Sequence, residues 1–180
     1  MGRVREDAHR VGKAVNMRSG WVDHSIQSPV LRLVVFVIEE QRYALPLAAV
    51  ERILPMVAVS PLPQAPAVAL GVINLHGQVL PVLDVRRRFG LPPRDYDLRS
   101  HLLVARTSRR TMAVPVDEVM GISEVAAGAV TPPDAVLPGI GQLAGIVALA
   151  DGLLFIHDLD AFLSLDEERQ LTESLEEMKA

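Results

Sequence analysis

GVINLHGQVLPVLDV, Gly71 to Val85, and GIVALADGLLFIHDL, Gly145 to Leu159, decide the fold, because the second stretch repeats the first 74 positions later. Gly71/Gly145, Leu75/Leu149, Leu80/Leu154 and Asp84/Asp158 coincide, so glycine and aspartate stand thirteen apart in both copies. Outward from this block, a second match runs at an offset of 69: LVVF (Leu33 to Phe36) falls on LLVA (Leu102 to Ala105). ALPLAAVERI (Ala44 to Ile53) then falls on AVPVDEVMGI (Ala113 to Ile122) without a gap, pairing Pro46/Pro115, Val50/Val119 and Ile53/Ile122. Apolar coincidences come cheaply in a chain that is 49% apolar, but proline and the glycine-to-aspartate spacing specify backbone geometry. The body of the chain reads as an internal duplication.

Each half reads as β. LRLVVFVI (Leu31 to Ile38) is short and β-branched, EEQR supplies a polar turn, and YALPL (Tyr43 to Leu47) returns as the second strand of a hairpin. Ala48 to Leu54 places Val50, Ile53 and Leu54 at helical spacing, which predicts one to two helical turns ended by Pro55. Pro81 removes a ladder donor from QVLPVL and predicts an edge or interrupted strand. DVRRRFG predicts a short helix capped by Asp84 and closed by Gly90. A sheet of about five short strands loses its edges by curling up. The expected fold is mainly β: two five-stranded β-barrel subdomains, each one half of about 70 residues, with short helices and a C-terminal helix.

Residues 1–29 carry five basic and three acidic side chains without periodicity, so a disordered tail is expected there, with Trp21 a stray aromatic in a flexible arm rather than an anchor that docks on the body or on a partner. Residues 30–163 form the duplicated domain and 164–180 an acidic amphipathic helix packed on it. Ser164 and Glu167 stand at capping-box spacing, and Leu171, Leu175 and Met178 make one narrow apolar face.

Composition excludes much else. A length of 180 residues holds one domain or two small ones. With no cysteine there is no disulfide, thiolate metal site or cysteine nucleophile, and a reducing, cytoplasmic setting is expected. A net charge of −4 and only one Trp, two Tyr and four Phe leave neither a basic face nor stacking platforms, so no nucleic acid is expected as a partner. The apolar runs fall far short of the roughly 20 residues that span a bilayer, so no membrane insertion is expected. No G-x-S-x-G, glycine-rich phosphate loop or H-E-x-x-H occurs, and an enzyme has nothing to rest on.

Individual residues have plain readings too. Asp84 and Asp158 fit helix capping better than paired acid/base chemistry, since they lie in different halves with no nucleophile beside them. His76 sits in a turn after a strand, as a partner contact or an ordinary surface histidine; no second ligand stands at metal spacing, so neither metal nor cofactor is expected. His157 reads as a buried histidine bonded to backbone. Arg86, Arg87 and Arg88 read as a solvated helix end beside Asp84, with a rim contact to an acidic partner as the other reading.

VVFVIEEQRYALPLAAVERIL, GVINLHGQVLPVLDVRRRFG, MAVPVDEVMGI and LAGIVALADGLLFIHDLDAFL together resemble, in order, the CheW family of chemotaxis coupling proteins. The middle block, G-V-x-N-L-x-G-x-x-x-P-V-x-D-[LV]-R, is the specific carrier. The resemblance implies two five-stranded barrels, no catalytic activity, and a bridge between chemoreceptor cytoplasmic tips and a CheA-type histidine kinase. It further implies a receptor-binding groove at Val50, Arg52, Ile53, Asn74, Leu75, His76 and Gly77, which takes the receptor's helical hairpin. Gly71, Ile122 and Gly145 are the implied kinase-binding or interface-shaping positions. The competing class is a stand-alone small barrel that binds a ligand or nucleic acid. One departure from the family is specific: its usual glutamate and arginine are replaced here by Arg52 and His76, which predicts a receptor-facing surface retuned for other receptors. Arg52→Glu combined with His76→Arg should therefore change affinity for the cognate receptor tip, and unchanged binding in a titration would refute the retuning.

Overall fold

The computed structural model describes residues 29–179, so the expectations for the tail, Trp21 among them, lie outside the described residues. The first half supplies β1 (Val30–Ile38), β2 (Gln41–Pro46), β3 (Val50–Pro55), β4 (Ala69–Leu75), β5 (Gln78–Leu83) and the short helix α1 (Val85–Arg88). The second supplies β6 (His101–Arg106), β7 (Thr111–Val116), β8 (Glu118–Ala126), β9 (Val130–Thr131), β10 (Leu143–Leu149), β11 (Gly152–His157) and α2 (Leu165–Lys179).

These strands form two mixed sheets, one of six strands in the order β8-β1-β2-β11-β10-β9 and one of five in the order β3-β6-β7-β5-β4. This corrects the expected architecture twice. The strand ladders close neither sheet into a full barrel, although Ser60, five residues past β3, bridges Val72 of the end strand β4. Nor does each half fold on itself: the β1–β2 hairpin of the first half joins β8 to β11, while the β6–β7 hairpin of the second joins β3 to β5. The hairpins have changed places. Each is seated by a parallel pairing, β2 on β11 through Leu154↔Arg42, Phe155↔Tyr43 and Ile156↔Ala44, and β7 on β5 through Val82↔Ala113.

The duplication itself extends to the irregularities. Ladder shifts leave Glu51 unpaired in β3 and Met120 in β8, and Leu70 unpaired in β4 and Ala144 in β10, each at the matching repeat position. Such bulges bend a strand and strengthen its twist. Gly71, just after one bulge, has φ +150°, and a Cβ there would overlap the Ser60 carbonyl that accepts the Val72 N–H at 2.8 Å. At Gly145 the added atom would strike Val130.

Three clusters form the core. Leu33 and Val35 face the interior of the six-stranded sheet with Ala44, Val147, Leu154 and Ile156, while Leu102 and Val104 face that of the five-stranded sheet with Ile73, Leu80 and Val82. The alternate residues Val34, Phe36, Ile38, Leu103 and Ala105 meet in a larger cluster shared by both sheets. Both faces of β1 from Leu33 onward and of β6 from Leu102 to Ala105 are therefore buried, which is why these stretches are wholly apolar.

Several local expectations hold and others change. Asp84 caps α1 by accepting the Arg86 N–H at 2.9 Å, and the helix closes through Gly90 N–H to Arg87 O (3.3 Å) and Leu91 N–H to Arg86 O (2.9 Å), with Gly90 at φ +65°. Asp158 likewise accepts from Asp160 N–H at 3.0 Å, in a turn. The Ser164–Glu167 box forms in both directions, at 2.8 and 3.2 Å, and Leu171 is fully buried with Leu175 packed on the shared core. Val50 to Pro55, in contrast, is an edge strand paired with β6, preceded by a 3₁₀ turn at Leu47–Ala49. Its apolar spacing fits a helix equally well, and the distant partner strand decides. Pro81 lies in an interior strand, but the β5–β7 ladder is reduced to one registered pair. Phe155, the position equivalent to Pro81, has a backbone N–H and pairs with Tyr43.

Of the arginine run only Arg87 is a solvated helix end, exposed and 3.6 Å from Asp84. Arg86 is 1% exposed; its Nε donates to Pro92 O at 3.1 Å, and its Nη2 pairs with Glu39 in the β1–β2 turn. Asp117, which leads into β8, stands 3.7 Å from the same guanidinium and accepts the Glu39 N–H at 2.6 Å. Arg87 donates to Ala67 O at 2.8 Å, and Arg88 binds Glu167 at 2.7 Å while its guanidinium lies 5.3 Å over Phe162. The run ties α1 to both sheets and to α2.

His157 is buried as expected, but its backbone contact, to Gln142, falls short of ordinary hydrogen-bond geometry at either ring nitrogen. It stacks instead among Tyr43 (5.0 Å), Phe89 (5.2 Å) and Phe36 (6.4 Å). Burial pushes its pKa down to about 4, weakly opposed by the Gln142 backbone.

Two measurements follow from these packing arguments. Gly71→Ala should cost about 1 to 3 kcal/mol in denaturant unfolding, while Gly128→Ala, with open space around it, should cost under about 0.5 kcal/mol. Between about pH 6.5 and 4 the unfolded chain binds a proton at position 157 that the native state refuses, so stability falls as pH falls through that window. His157→Phe should remove about 3 kcal/mol of this pH dependence, seen as a flatter curve of unfolding free energy against pH.

Candidate protein-docking site

β3 is an edge strand, so one of its backbone sides is open to a partner. Its side chains alternate. Arg52 stands opposite Val104 and so on the interior face of the five-stranded sheet, while Ile53 stands opposite Leu103, on the face turned to the shared core. Val50 packs half-buried against that shared core, and Ile53 keeps 45% of its surface exposed.

β4 and β5 are joined by the two-residue turn His76–Gly77, with Leu75 paired to Gln78 and φ values of +53° and +87°. Positive φ at both central residues gives the turn that matches strand twist, which suits glycine and is tolerated by histidine. Asn74 Oδ1 accepts the Gly77 N–H at 2.7 Å and fixes the turn, leaving the His76 imidazole exposed.

These two elements meet around a pocket of about 180 Å³ at the mouth of the five-stranded sheet's interior. Arg52, Leu75 and His76 line it; Gln78 and Thr111 complete the rim, and Leu80 and Val104 the floor. Glu51, also at the rim, is engaged across the ladder by Arg106. The expected groove residues thus divide. Arg52, Leu75 and His76 come together, Asn74 and Gly77 hold their turn, and Val50 and Ile53 belong to the opposite face. Thr111 was missed because it arrives on β7 from the other half, and the repeat carries no sign of that exchange.

Gly71, Ile122 and Gly145 do not form one surface. The two glycines are buried in different sheets, where they act on backbone shape, whereas Ile122 is 56% exposed on edge strand β8. Ile122 stands opposite Val34, the situation of Ile53 repeated in the other sheet. Among the described residues no group of three or more His, Asp or Glu could hold a metal ion, and no helix is long and apolar enough to cross a membrane.

Comparison with known proteins agrees with this geometry. The CheW-like domain family matches residues 32–167. A probable chemotaxis protein CheW of Rhizobium etli is 30% identical over 137 residues, covering 75% of this chain and 88% of that protein. The chemotaxis protein CheW of Rhizobium meliloti is 31% identical over the same length. The crystal structure of the scaffolding protein TtCheW from Thermoanaerobacter tengcongensis superposes with a TM-score of 0.70 at 24% identity, over 77% of this chain and 96% of that one, a likeness of fold. With its two exchanged-hairpin sheets and the family match across nearly all of both, the chain belongs to the CheW-like domain family of non-catalytic chemotaxis adaptors.

Proposed function

We propose that this protein couples chemoreceptor cytoplasmic tips to a CheA-type histidine kinase, as a cytoplasmic component of a receptor array at the inner face of the membrane. The observation that carries the reading is the pair of edge strands. β3 and β8 end different sheets, and each presents an isoleucine, Ile53 or Ile122, at the same repeat position on the face toward the shared core. An adaptor needs two docking surfaces that are joined mechanically, and a shared core joins these.

In this reading the receptor hairpin docks along β3 and the adjoining β4–β5 turn, with Ile53 as apolar anchor. The kinase docks on the side of β8, with Ile122 as anchor, and Gly71 and Gly145 matter through the strand paths they permit. Receptor state then biases kinase activity through differential contacts in the assembly, with no bond made or broken by this chain. Receptor signalling fragment and kinase, mixed with this protein, should give faster kinase autophosphorylation than either pair alone. Ile53→Asp should lose the receptor dependence while retaining kinase binding, and unchanged autophosphorylation at saturating wild-type protein would overturn the reading.

A further inference from the structure

The duplication lets the two sheet mouths be laid over one another, and they differ at one place. The floors agree: Leu80 and Val104 in the five-stranded sheet stand where Leu154 and Val35 stand in the other, and all four are buried. Leu75 has its counterpart in Leu149. The rims do not agree. In the six-stranded sheet Arg42, the counterpart of Thr111, lies over Gly152 and grips Asp151 through Nη2 to Oδ1 at 2.8 Å and Nη1 to Oδ2 at 3.3 Å. These bonds hold the Asp151 carboxyl below the usual range. There the fold supplies both a guanidinium and the carboxylate that matches it.

In the five-stranded sheet the counterpart of Asp151 is Gly77, so the internal carboxylate is missing. Cationic and donor groups are present: Arg52 and His76 replace Gly121 and Ala150, with Gln78 and Thr111 beside them. None of these four side chains has a hydrogen bond or ion pair among the described residues. Glu51 leaves Arg52 unmatched, because Arg106 already engages it.

We propose that this mouth is a docking pocket for a glutamate side chain presented by a helix of the receptor partner, an identification of the partner that rests on the coupling reading. The carboxylate takes the place that Asp151 fills in the other sheet and meets Arg52 and His76. The glutamate methylenes lie on Leu75, Leu80 and Val104. Arg52 and His76 are thereby specificity-determining residues that select receptors by an acidic position.

Calorimetric titration of the full chain with the cytoplasmic hairpin fragment of a chemoreceptor from the same genome tests this. Arg52→Glu should weaken binding about tenfold or more, and Arg52→Gln and His76→Ala by less. Changing one exposed glutamate of the fragment to arginine should weaken binding to the wild type and restore it to Arg52→Glu. Equal affinity of wild type and Arg52→Glu, with binding still lost in Ile53→Asp, would overturn the pocket and leave the coupling reading standing. Failure of every glutamate-to-arginine change to restore binding would also overturn it, and a wild type that binds no receptor fragment would overturn both.

Discussion

Each sheet of this protein is incomplete until a hairpin from the opposite half pairs with it in parallel, β2 along β11 and β7 along β5. The rest of the structure depends on that exchange. It places β1 and β6 inside their sheets with two buried faces, so that Leu33 and Val35 serve one core while Val34, Phe36 and Ile38 serve another. Neither half keeps a hydrophobic core to itself. The Phe36–Tyr43–Phe89–His157 ring cluster and the buried Arg86 with Glu39 and Asp117 both sit where elements of the two halves meet. A buried guanidinium is costly unless its partners are in place, so the ionic group fixes the relation of the sheets more than it adds to their stability.

What was legible in the sequence was local. Glycine, proline and the aspartate spacing revealed the duplication because each reports backbone geometry at its own position, and the bulges at Glu51 and Met120 repeat it. The caps at Asp84 and Ser164 were legible for the same reason. What was not legible depended on partners far along the chain. Val50 to Pro55 could be helix or strand until β6 paired with it, and closed barrels were expected because nothing in the repeat says which hairpin completes which sheet. Arg86 looked exposed because its partners, Glu39 and Asp117, lie 47 and 31 positions away (86 − 39 and 117 − 86).

The docking site shows the same division at smaller scale. The family resemblance implies that Arg52, Leu75 and His76 share one groove, and the structure assembles them around one pocket. Strand alternation separates Arg52 from Ile53, which neighbour each other in sequence but face opposite sides of β3. That separation gives one edge strand two different chemistries, an apolar contact on one side and a basic pocket on the other.

The exchange also sets a timetable for the newly made chain. The five-stranded sheet has all its strands once Val116 has left the ribosome, but the β1–β2 hairpin, synthesised first, must wait for β11, which ends at His157. During that interval the apolar strand β1 and its hairpin partner β2 have been made, while β11, the parallel partner of β2, has not. The sheet begun first is thus finished last, and the earliest strands are the ones a chaperone would have to shield longest.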